Sequence, residues 1–148
     1  MRISAKGEYA IKAMLDLALH QQGGLQPIQD IAARQGIPQR YLEQVLLQIK
    51  RAGLLTSKRG SAGGYRLGRP ADEITVGAVL RAVEGAVTGP GTPEAGRRPA
   101  PHDRRGDLAE LWREIAEAVS GVIDRMTFED LRRRVEDRQE AARPMYHI

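Results

Sequence analysis

The sequence contains no cysteine. Composition alone therefore excludes disulfides, thiol nucleophiles and thiolate-ligated metal centres. Large aromatics are almost absent, with one Phe and one Trp in 148 residues. The core must be assembled from Leu, Ile, Val and Ala, which favours helices over an extended sheet. No apolar run approaches the roughly 18 residues needed to span a bilayer. The opening MRISAKGEYA has no hydrophobic signal core, so no membrane partner is expected and a cytoplasmic location is. Three histidines (His20, His102 and His147) stand far apart in sequence without Ser/Asp context. No enzymatic chemistry is expected from them.

What the chain does have is basic charge, unevenly placed. Residues 1–84 hold twelve Lys/Arg and seven Asp/Glu, a net +5; residues 85–106 hold four and two, a net +2; residues 107–148 hold seven and ten, a net −3, giving the formal +4 of the whole. Between Arg34 and Arg69 eight cations (Arg34, Arg40, Lys50, Arg51, Lys58, Arg59, Arg66, Arg69) meet one acid, Glu43, a local +7. Such a focus is the electrostatic footprint of a polyanion partner.

Hydrophobic periodicity places four helices and one hairpin in residues 1–84. Ser4 to His20 is the first helix, capped by the Ser4 hydroxyl, with Ala10, Ala13, Met14, Leu17 and Ala18 at helical spacing. Arg2 and Lys6 at its start are candidate phosphate contacts. Pro27 opens a short second helix with Ile28, Ile31 and Ala32 inward, and Gly36 closes it. A third helix from about Pro38 to Ala52 buries Leu42, Val45, Leu46 and Ile49. Helix, short Gly-containing turn, helix is the helix-turn-helix pattern. Gln39, Arg40, Glu43, Gln44 and Lys50 populate the rest of the third helix's surface. Arg and Gln carry donor forks that match guanine and adenine in the major groove. Gln39, Arg40 and Gln44 are thus candidate base readers, with Tyr41 beside the backbone; a plain solvated face is the alternative.

Leu54 to Lys58 and Tyr65 to Leu67 read as two strands around Arg59-Gly60-Ser61-Ala62-Gly63-Gly64, whose three glycines permit a tight turn. Lys58 and Arg59 sit at its tip, suited to the negative potential of a narrow minor groove. A phosphate-cradling loop is the rival reading, but the Gly-Lys-Ser/Thr ending and an immediately following helix are both missing. Ile74 to Glu84, capped by Thr75, is a fourth helix that closes the core.

Residues 85–106, rich in Gly, Pro and Arg, show no periodicity and read as a linker or a loop ordered by something bound. From 107 to 126 the apolar residues Leu108, Trp112, Ile115, Val119, Val122 and Met126 are spaced 4, 3, 4, 3, 4. That is a coiled-coil seam, widened by Leu111 and Ile123. It suits either pairing with a second copy or packing back on its own domain. Thr127 caps a last charged helix reaching about Ala142, and 143–148 form a tail. The fold class expected is mainly α with a small β-hairpin wing: a winged helix-turn-helix plus a long C-terminal dimerisation helix.

Three stretches, MRISAKGEYAIKAMLDLA, IQDIAARQGIPQRYLEQVL and KRAGLLTSKRGSAGGYRLGRPADEITVGAVLRAVEG, together with LWREI and MTFEDL, carry a family likeness. The chain resembles, from residue 1 to about 138, the Rrf2 family of bacterial transcription regulators, the group of IscR, NsrR and CymR. The resemblance implies a homodimer acting on a palindromic operator, with the YLEQ helix in the major groove and the wing tip in the minor groove. It assigns Arg40, Tyr41, Glu43 and Gln44 to the first contact and Lys58, Arg59 and Gly60 to the second. It implies that the long C-terminal helix makes the dimer, through Leu108, Leu111, Trp112, Ile115, Val119, Val122, Ile123 and Met126. Many members hold an iron–sulfur cluster through three cysteines in the preceding loop. Here Gly106 stands about where the last would be, with Glu94 and Ala100 near the others, and Ala109 offers no ligand either. His102, Asp103 and Glu8 are a poor substitute for thiolates. No cofactor or metal is expected. A small-molecule or protein effector is expected, if anywhere, between the middle loop and the first helix. The rival reading is a winged-helix interaction module that recruits a partner protein through the C-terminal helix.

Overall fold

Ser4 begins the first helix because its hydroxyl accepts a hydrogen bond from the Gly7 amide at 3.2 Å, satisfying a donor the helix itself cannot. In the computed structural model, which describes residues 3–85 and 108–144, α1 spans Ala5–Leu19, α2 Ile28–Gln35, α3 Gln39–Arg51 and α4 Val76–Glu84. Between α3 and α4 lie β1 (Leu55–Lys58) and β2 (Gly64–Leu67), and α5 (Ala109–Arg125) and α6 (Phe128–Ala142) follow. Arg2 and the middle-loop positions Glu94, Ala100, His102, Asp103 and Gly106 lie outside the described residues.

The helix-turn-helix angle comes from Gly36, which ends α2 in the left-handed conformation at φ 64°, a geometry that is inexpensive only without a Cβ. The hairpin is antiparallel, pairing Leu55 with Leu67 and Lys58 with Gly64. Leu42, Val45, Leu46 and Ile49 of α3 are buried with Ala10, Met14 and Leu17 of α1, Ile31 of α2, and Val79, Leu80 and Val83 of α4. These are the residues that the periodicity placed inward.

The C-terminal segment is less separate than its sequence suggests. Phe128 has no exposed surface and belongs to the same core. Its amide donates to the Ile74 carbonyl at 3.0 Å, and the Val76 amide donates to the Met126 carbonyl at 2.9 Å. The α5–α6 junction is thus stitched to the start of α4, and α6 lies along α1. A capping box holds the α6 start: the Asp130 amide donates to Thr127 Oγ1 at 3.1 Å and the Thr127 amide to Asp130 Oδ2 at 3.0 Å. The Thr127 backbone amide bond, with the Thr127 side chain second, holds the Asp130 carboxyl below the usual carboxylate range.

Arg34, counted above among the cations facing a polyanion, is instead committed to Asp16 of α1. Asp16 is 0% exposed. Arg34 Nε donates to its Oδ1 at 2.9 Å and Nη2 to its Oδ2 at 2.8 Å, while Gln35 Nε2 donates to Oδ1 at 3.0 Å. The Asp16 hydrogen bond raises the Arg34 guanidinium further above its ordinary value, with burial opposing. A second bidentate pair, Arg81 with Asp124, joins α4 to α5 but is about 40% exposed on both sides. The Arg81 hydrogen bond lowers the Asp124 pKa. Its small stabilisation is therefore present at neutral pH and fades as acid protonates the folded-state carboxylate.

Removing the cation from each pair should separate the two cases. Arg34→Ala leaves a buried carboxylate without its main partner and should cost about 3 kcal/mol in urea unfolding. Arg81→Ala should cost less than about 1 kcal/mol. Equal losses would contradict the assignment of Arg34 as an internal clasp.

Candidate nucleic-acid interface

Once Leu42, Val45, Leu46 and Ile49 turn inward, helical geometry leaves the opposite face of α3 to solvent. Gln39, Arg40, Tyr41, Glu43, Gln44 and Lys50 are all exposed there. Tyr41 is held by an edge-on contact with Tyr9 of α1, ring centroids 5.4 Å apart at 79°, a favoured aromatic arrangement. Tyr9 was not foreseen as a positioning residue, because nothing in its local pattern distinguishes it from a core aromatic. Lys50 keeps its charge while its Nζ donates to the neutral Ser57 Oγ of β1 at 2.7 Å, bridging reading helix and wing. Lys6 is half-buried in the first turn of α1.

In the wing, Lys58 ends β1 and Arg59 begins the turn, both exposed. Gly60 has φ 109°, and the Gly63 amide closes the turn on its carbonyl at 3.0 Å. The wing's orientation depends on a residue that sequence reasoning missed. Gln26 and Tyr65 exchange both backbone hydrogen bonds at 2.8 Å. The Gln26 side-chain oxygen accepts from Arg34 Nη2 at 2.9 Å. A Cβ on the neighbouring Gly64 would lie 2.5 Å from the Gln26 carbonyl carbon and oxygen. The Gly63-Gly64 pair before a strand was the available signal, since such pairs mark a close backbone approach.

Between α3 and the wing runs a groove of about 550 Å³, bounded by Glu43, Leu47, Lys50, Lys58, Arg59 and Tyr65. Three cations and one carboxylate give it positive character. Burial raises the Tyr65 hydroxyl pKa, with the Glu43 carboxylate adding to the effect, so the phenol stays neutral and does not oppose the cations. Leu47, on the same wall, is 45% exposed.

The second candidate surface is α5, which buries none of its residues within the chain. Leu108, just before the helix, is 41% exposed, Leu111 44% and Val122 57%. Trp112, Ile115 and Val119 are half-buried. Ile123 and Met126, read above as part of the same seam, pack against the chain's own core. Met126 lies past the helix end in extended conformation. The seam therefore divides, its C-terminal end serving the monomer.

Among the described residues no three His, Asp or Glu gather as a metal set. With no cysteine anywhere in the chain, the donor set does not fit a thiolate-held iron–sulfur cluster.

Gly64→Ala should test the wing anchor. The added methyl must push Gln26 and Tyr65 apart, so the unfolding free energy should fall by about 1–3 kcal/mol. Loss of amide-exchange protection at Tyr65 should accompany the fall. Unchanged protection there would mean that the wing is held by something else.

The family comparison agrees with this geometry. The model of the Rrf2 family, described as an iron-dependent transcriptional regulator, matches residues 3–134. The chain is 44% identical over 131 residues to the HTH-type transcriptional regulator IscR of Serratia proteamaculans, covering 88% of this chain and 79% of that protein. It is 42% identical over 133 residues to the Photobacterium profundum counterpart, covering 90% and 76%. Among solved structures, CymR, the global cysteine regulator of B. subtilis, superposes with a TM-score of 0.73 at 36% identity, covering 89% of this chain and 96% of that one. T. potens IscR gives 0.72 at 29% identity, covering 99% and 94%. With a winged helix, an exposed reading helix and relatives that regulate transcription, the chain belongs to the Rrf2 family of DNA-binding transcription regulators, and is not an enzyme.

Proposed function

We propose that the protein is a homodimeric repressor that binds a palindromic operator without an iron–sulfur cluster. The observation that carries the dimer is the apolar face of α5, left open by its own chain at Leu108, Leu111 and Val122. A twofold pair is the commonest way to cover such a face. Pairing would set two α3 helices on successive major grooves, roughly 34 Å apart or a multiple of it. Arg2, Lys6, Tyr41 and Lys50 would hold phosphate, and Gln39, Arg40, Glu43 and Gln44 would meet base edges. Lys58 and Arg59, carried by the Gly60 turn, would enter the minor groove. Occupation of an operator by such a dimer represses by excluding competing proteins.

The same exposed α5 face would serve the rival reading, a module that recruits a different protein. A monomer at micromolar concentration, measured by light scattering, would favour that reading. If the face joins two copies, Leu111→Glu places two charges in one symmetric interface. It should weaken self-association by at least about 100-fold, from roughly 1.5–3 kcal/mol lost per leucine on each side. Sedimentation velocity gives the answer, and an unshifted profile would remove α5 from the interface.

Arg59→Ala should lower affinity for a selected operator by about 1–3 kcal/mol. A gel-shift titration measures it; an unchanged affinity would rule out minor-groove insertion of the wing.

A further inference from the structure

Along α3 the residues Arg40, Gln44, Leu47 and Arg51 recur at spacings of four, three and four. That spacing puts them on one helical stripe, opposite the buried Leu42, Val45, Leu46 and Ile49, and all four are exposed. Leu47 stands near the middle of this otherwise polar stripe, one turn beyond Glu43 and Gln44, and 45% of it is open. It also walls the groove that Lys50, Lys58 and Arg59 make positive. A single exposed leucine is ordinary on a protein surface. Its placement here is not neutral, because any docking that brings Arg40 and Gln44 to base edges carries Leu47 toward the same groove. The apolar group that a base pair presents in the major groove is the thymine C5-methyl.

We propose that Leu47 is a specificity residue of the reading helix, selecting thymine by apolar contact with its C5-methyl. The proposal rests on the DNA-reading role of α3 given above and adds to it one base preference, set by desolvation and not by hydrogen bonding. Glu43 and Gln44 would fix the polar pattern of neighbouring pairs, and Leu47 would reject cytosine, which offers an N4 donor and no methyl. A methyl group removed from water on both sides is the size of effect that discriminates a few-fold.

The experiment is a uracil scan. The full-length protein first selects an operator from random duplexes. Each thymine of that operator is then replaced in turn by uracil, which removes only the methyl. Affinities are read by fluorescence anisotropy for the native chain and for Leu47→Ala. Alanine keeps the helix, since position 47 is exposed and alanine is a strong helix former, and a circular-dichroism melt checks this. At one or two thymines per operator, uracil should weaken the native protein about fourfold and change Leu47→Ala by less than twofold. On a selected operator, a native protein indifferent to every uracil overturns the Leu47 assignment alone. Equal sensitivity of both proteins does the same. Failure to select any sequence overturns the assignment together with the DNA-reading role beneath it.

Discussion

Asp16 is a carboxylate with no exposed surface, and a buried charge has to be matched within the fold. Its hydrogen-bond donors come from α2, two nitrogens of Arg34 and the side-chain amide of Gln35, and the His20 imidazole at the end of α1 lies 3.7 Å away. Arg34 then reaches back to the Gln26 side chain, and the Gln26 backbone pairs with Tyr65 of the wing. One buried acid thus connects α1, α2 and the hairpin through successive hydrogen bonds. Such a pair adds little net stability compared with apolar packing, but it admits few alternative geometries. What it fixes is the relation between the helix-turn-helix and the wing, the two parts that must meet one DNA duplex together.

The C-terminal helices extend the same logic by different means. Phe128 fills the winged-helix core, and the backbone bonds from Val76 to Met126 and from Phe128 to Ile74 seal it. Arg81 clasps Asp124 alongside, where a Cβ on Gly77 would lie 2.0 Å from the Asp124 carboxylate. The base of α5 is therefore joined to the DNA-binding unit, while Leu111 and Val122 along it stay exposed. If two α5 helices pair as proposed, a joint of this kind would convert the angle between them into the spacing of two reading helices.

Much of this was legible from residue order, because helix periodicity, Ser4 and Thr75 caps and Gly36 act locally. Leu42, Val45, Leu46 and Ile49 were inward as read, and the hairpin differed by one residue at each strand's start. The misjudged parts were long-range. Arg34 was counted with the cations facing a polyanion because charge counts do not reveal that Asp16, eighteen positions earlier, lies buried beside it. Met126 kept the seam's period and Ile123 widened its stripe, yet both turned to their own core, since a period fixes a face and not its partner. Phe128 looked like the first residue of a charged accessory helix, and only the fold shows the cavity it fills. Leu47 drew no attention because an apolar residue amid a helix is ordinarily read as core.

Once the internal pairs are taken out, the charge distribution itself becomes an argument. In the C-terminal segment acids outnumber bases ten to seven, and two of its cations are paired within α6: Arg132 bonds Glu129 and Glu136, and Arg133 bonds Glu129. In the basic segment, Arg34 is committed to Asp16. Among the described residues, Arg40, Arg51, Lys58, Arg59 and Arg69 form no ion pair and are exposed. They sit on α3, on the hairpin or just past its end, the two elements that the Asp16 clasp aligns. Unpaired like charges repel, and a fold selected for stability alone would intersperse acids among them as α6 does. Their separation from carboxylates is accounted for by an external polyanion that supplies the missing counter-charge and releases its own counterions on contact. The local count of +7 overstated the free charge by including Arg34, whose partner Asp16 lies outside the counted segment, yet the direction of the inference stands on the cations that remain.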